Sequence, residues 1–105
     1  MGPELVIPHA ARQDERSLEM ARVWIAGNAL HCTLKIGFYA DRGMAEEESW
    51  GTILADMAQH VADALVASGV RTDRQLALAR VQQAFEEEMA NPTTRATGDF
   101  AKPDN

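Results

Sequence analysis

A single cysteine, Cys32, among 105 residues excludes an intramolecular disulfide framework and is too few for a structural zinc site. That scarcity fits a reducing compartment. No apolar run approaches the roughly 18 residues of a membrane span. Residues 1–11 place Glu4 ahead of any Lys or Arg and hold only Leu5, Val6 and Ile7 as an apolar stretch, which is not the layout of a signal peptide. The cytoplasm is the expected location, with no membrane partner. Basic residues are also short, with 10 Lys and Arg against 16 Asp and Glu and a net charge of -6. Phosphate contacts need clustered Lys and Arg, so nucleic acid is not an expected partner. The glycines at 27, 37, 43, 51, 69 and 98 make neither a P-loop nor a dinucleotide fingerprint, and there is no nucleophile elbow and no metalloprotease histidine pair. No cofactor is expected, and catalysis is the less favoured of the open readings.

With 46% hydrophobic and 25% charged residues, the chain can form one small globular domain. The clearest local signal is a β-hairpin. Gly27-Asn28 separates two runs rich in strand formers and supplies the positive backbone dihedrals of a two-residue loop. Counting outward, Ala26 faces Ala29, Val23 faces Cys32 and Ala21 faces Leu34. Alternation then gives an apolar face of Ala21, Val23, Ile25, Leu30, Cys32, Leu34, Ile36 and Phe38. The other face carries Met20, Arg22, Trp24, His31, Thr33, Lys35 and Tyr39, a mixed surface.

Beyond the turn Asp41-Arg42-Gly43, the acids Glu46, Glu47 and Glu48 lead into apolar residues at helical spacing from Trp50 to Leu65, with Gly69 placed as a cap. This predicts a helix over about 46–68, in which Gly51 marks either a weak point or a close backbone approach. Thr72 and Gln75 have the spacing of a capping box, and Leu78, Val81, Phe85 and Met89 continue a second helix to Asn91-Pro92. Glu86, Glu87 and Glu88 stand at its C-terminal end, where the helix dipole disfavours anions. The expected fold is α+β: an antiparallel hairpin, with residues 5–7 as a candidate third strand, packed against two α-helices. Residues 1–92 form the domain and 93–105 a mobile, disordered tail.

Three groups could carry function. His31 and Cys32 are neighbours on a strand and point to opposite faces, so they form no dyad; Cys32 is expected to be a core thiol. Asp56, His60 and Asp63, at i, i+4 and i+7, share one flank of the first long helix, where they could hold a divalent cation or serve as a general base; a surface hydrogen bond between Asp56 and His60 is the ordinary explanation. Met20, Trp24, His31 and Tyr39 place large groups on the mixed face and are the expected interface.

The segments Ala21-Arg22-Val23-Trp24-Ile25, Trp50-Gly51 with Leu54-Ala55-Asp56 and His60-Val61-Ala62, and Asn91-Pro92-Thr93 resemble a family of short bacterial proteins classed as a domain of unknown function, over about residues 5–98. The resemblance implies a free-standing bacterial domain and singles out Trp50, Asp56 and His60, without an activity, cofactor or substrate. The favoured function is a non-enzymatic protein-association domain, homodimeric or bound to another protein, because an isolated hairpin needs a third strand or a second copy. The alternative is a small-molecule or metal-binding domain, with or without catalysis, centred on Asp56 and His60.

Overall fold

The computed structural model describes residues 3–101. A short helix α1 (His9–Gln13) precedes strands β1 (Ala21–Ala26) and β2 (Ala29–Lys35), a 3-10 turn at Ala40–Arg42, helices α2 (Glu46–Ala67) and α3 (Arg74–Ala90), and strand β3 (Thr97–Ala101). This is an α+β fold. Gly27 and Asn28 both take positive φ, +58° and +62°, as the two-residue loop requires. The register follows from that loop, from Ala26 opposite Ala29 through Val23 opposite Cys32 to Ala21 opposite Leu34.

The third strand is not drawn from residues 5–7, which are in no strand. It is β3, which pairs parallel with β2 and makes β2 the central strand. β3 thus lies within residues 93–105, the segment expected as the tail, of which 102–105 lie outside the described part. Gly98 makes the pairing feasible. At φ +137° a Cβ there would point into the β2 backbone, colliding with the Cys32 carbonyl oxygen and lying 2.9 Å from the Cys32 nitrogen. Only glycine lets the tail approach so closely.

The acidic first turn and Gly69 at φ +80° bound α2 where the sequence places its ends. The start of α3 differs from expectation. Asp73, rather than Thr72, is the N-cap, and its carboxylate accepts the Leu76 N–H at 3.1 Å. A charged acceptor at this end also favours the helix dipole, which a hydroxyl does not. At the far end, the Glu88 carboxylate accepts the Thr93 N–H at 2.7 Å, the Thr93 hydroxyl at 2.9 Å and the Thr94 N–H at 3.1 Å. Those donors, the Thr93 N–H foremost, hold the carboxyl below its ordinary pKa and fix the turn that sends the chain towards β3. They offset the dipole penalty at Glu88.

The two long helices close on each other through small residues, and Ala62 and Ala77 are the buried hydrophobic side chains. No large side chain is fully buried among the described residues. The sheet face expected as core is open in the single chain: Ile25 is 80% exposed, Val23 51% and Phe100, delivered to that face by β3, 59%. Total accessible surface is 8983 Å², against about 5,800 Å² for a compact monomer of this length. The radius of gyration is 15.8 Å, against about 13 Å expected. The layers form, but they do not close.

Candidate functional site

The sheet has one uncharged face and one mixed face. Ala21, Val23 and Ile25 lie opposite Leu34, Cys32 and Leu30, and β3 adds Gly98 and Phe100 beside them. Cys32 is free and half-buried in this set. On the mixed face Trp24 is half-buried opposite exposed His31, and His31 Nδ1 lies 3.3 Å from the Thr97 hydroxyl. Met20 extends the β1–β2 pairing, its carbonyl accepting the Lys35 N–H at 2.9 Å, and alternation along the strand puts it on the same face as Arg22 and Trp24. Arg22 there meets Glu4 at 3.0 Å and Glu19 at 3.2 Å. Tyr39 does not belong to the sheet, because β2 ends at Lys35. Ile36 and Phe38 lie beyond it for the same reason, and Phe38 and Tyr39 meet edge to face at 5.1 Å in the following loop.

The second apolar surface belongs to the helical hairpin. A groove of about 330 Å³ runs between α2 and α3, lined among others by Gly51, Leu54, Ala58, Leu78, Val81 and Phe85. Leu54 and Phe85 remain exposed beside it, as do Met57, Val61 and Met89 on the same two helices. Gly51 answers to no close approach within its own chain, since a Cβ there would meet open space.

Asp56, His60 and Asp63 all lie exposed along α2. Asp63 forms an ion pair with Arg74 of α3, and Arg74 also donates to Gln59 at 2.8 Å, a cross-link of the two helices. Among the described residues no three His, Cys, Asp or Glu side chains converge as metal ligands, and no hydrogen bond joins Asp56 to His60.

The most heavily bonded carboxylate is one that sequence reasoning passed over. Glu46 opens α2 and turns back into the preceding loop, where Oε2 accepts the Gly37 N–H at 2.9 Å and the Trp50 indole N–H at 2.9 Å. Its Oε1 accepts the Tyr39 N–H at 3.0 Å and the Ala40 N–H at 2.9 Å. Buried Gly37, at φ +100°, brings its amide into this collar. Arg42 lies 3.8 Å over the Phe38 ring and donates to the Phe38 carbonyl, closing the same loop. The available signal was the i, i+4 spacing of Glu46 and Trp50, hidden inside a run of three glutamates.

The Gly37 amide leads the donors that hold the Glu46 carboxyl below its ordinary pKa, with burial opposing them. A lowered native value means that the stabilisation is complete above the ordinary glutamate pKa of about 4.3 and is lost as pH falls through the native one. Glu46→Gln should therefore melt earlier at neutral pH and show a shallower loss of melting temperature between about pH 5 and pH 3. Melting curves across that range decide it, and coincident slopes for variant and wild type would show that this carboxylate does not hold the loop.

The family model Domain of unknown function (DUF5076) matches residues 4–93. The chain belongs to this family. The DUF5076 match takes in the hairpin, the Glu46 collar and both long helices, while β3 follows it in sequence. A solved structure from the photosynthetic bacterium Rhodopseudomonas palustrus CGA009, provisionally named a pyruvate dehydrogenase, is 28% identical with a TM-score of 0.64, over 91% of this chain and 93% of that one. No curated protein matches the DUF5076 chain.

Proposed function

We propose that this chain is a non-enzymatic protein-association domain that works as a homodimer. The observation that carries the reading is the missing core: the sheet and the helical hairpin each present an apolar face, and no large side chain is fully buried among the described residues. Marginal folds need burial of such faces to offset chain entropy. The accessible surface exceeds that of a compact monomer by about 3,000 Å². Part of it is the exposed stretch Leu5–Ile7. The remainder is of the order an obligate dimer covers, about 1,000–2,500 Å² per protomer. A reducing, cytoplasmic setting suits the lone thiol on that surface.

Sedimentation equilibrium at micromolar concentration is the test, with a mass twice that of the chain expected. Melting temperature should then rise with protein concentration, since association stabilises the folded state by mass action. A monomer that melts cooperatively and independently of concentration would sink the reading.

The metal-site alternative rests on the Asp56 and His60 spacing, and Arg74 already engages Asp63. Zinc is expected to leave the melting temperature unchanged, and His60→Ala to be silent. A zinc-dependent rise abolished by His60→Ala would favour the ion site instead.

A further inference from the structure

Resting on the homodimer reading, we propose that the two copies exchange layers, with the apolar sheet face of each chain seated on the α2–α3 groove of the other. Three observations point there. The first is coverage. Sheet on sheet would leave both helical grooves open, and groove on groove would leave both sheet faces open; exchange covers all four surfaces with one contact made twice. A contact repeated in that way closes on itself as a two-fold dimer.

The second is charge. Residues 46–90 hold nine acidic side chains and three arginines, a net charge of -6, whereas the three strands carry Arg22, Lys35 and Asp99, a net charge of +1. Two helical hairpins face to face would bring together two segments of -6 each, with Glu86 in the groove lining of both. All three strand charges lie on the mixed face, so the face offered to the groove is uncharged.

The third is local geometry. The Glu46 collar fixes the turn between β2 and α2, and with that turn in place the chain leaves Ile25 80% exposed. Gly51 lines the groove, yet nothing in its own chain lies within reach of a Cβ there. A glycine at such a helical position is unfavourable relative to alanine, and it leaves room for an incoming side chain.

The test uses the full chain in a Cys32→Ser background. Chains carrying Ile25→Cys and chains carrying Phe85→Cys are refolded together under mild oxidation. The expected product is a disulfide-linked pair of one of each. Linkage within the Ile25→Cys chains alone would mean sheet on sheet, and linkage within the Phe85→Cys chains alone would mean groove on groove; either overturns the exchange. Because these variants can misfold, the same contact is read in the unaltered protein by isotope-filtered NOEs between labelled and unlabelled copies. Cross-peaks between Ile25 methyls and the Phe85 ring are expected, and a dimer lacking both the linkage and the cross-peaks overturns the proposal. A third variant, Gly51→Leu, fills the groove with a good helix former and should raise the dissociation constant at least tenfold with helical content intact; an unchanged constant overturns it. A monomeric wild type would instead defeat the homodimer reading itself, so the two failures are distinguishable.

Discussion

Ile25→Glu is expected to dissociate the proposed dimer, raising its dissociation constant by about two orders of magnitude while far-UV circular dichroism stays close to that of the wild type. Ile25 is 80% exposed in the single chain, so a carboxylate there costs the isolated fold little. In an interface the same carboxylate must lose its water without a cation to meet it. The apolar sheet face supplies none, since its neighbours there are Leu30, Val23 and Cys32. Trp24→Glu is the control, because Trp24 lies on the opposite face with Met20 and His31. It should lower stability, as Trp24 is half-buried, yet leave the dimer formed. The reverse pattern would place the interface on the Met20, Trp24 and His31 face, with Tyr39 at its margin.

Gly98→Ala should detach β3. Backbone at φ +137° is closed to residues with a Cβ at a cost of about 1–3 kcal/mol, and the added carbon would also collide with the Cys32 carbonyl. Both penalties vanish if the tail leaves the sheet. The Ile36 N–H, which donates to the Ala101 carbonyl at 2.9 Å, would then lose its acceptor. Amide exchange should accelerate at Ile36, while amides across the β1–β2 ladder keep their protection. Unchanged exchange at Ile36 would show that β3 tolerates the side chain. Because β3 carries Phe100 to the apolar face, weaker dimerisation is an expected secondary effect.

The hairpin was legible because its information is local: Gly27-Asn28 sets the loop, and each residue outward follows by counting. The span of α2 was legible for the same reason, through the acids at its start and Gly69 after its end. β3 was not, because Thr-Gly-Asp-Phe-Ala lacks the alternation of a strand former and takes its place by pairing with residues far away in sequence. Periodicity also shows that a face is apolar without showing what covers it. Val23 and Ile25 thus read as core, although the single chain leaves them open. For the candidate site, the i, i+4, i+7 spacing correctly put Asp56, His60 and Asp63 on one helix, but the engagement of Asp63 by Arg74 depends on how α3 docks. Glu46 escaped notice because nothing distinguishes it from Glu47 and Glu48 until the loop folds over it.

The parallel pairing of β3 has a kinetic consequence. The hairpin needs only a two-residue loop and can form within about 1–10 μs. Joining Thr97 to His31 requires closure over 66 residues, and the loop entropy must be met before any ladder bond compensates it. β3 is therefore expected to dock last, after the α2–α3 hairpin has brought the tail back. Until then β2 has an unpaired edge beside an apolar face, a template for misdirected strand addition by another chain. Refolding yield should fall with protein concentration, and brief dilution before concentrating should recover it.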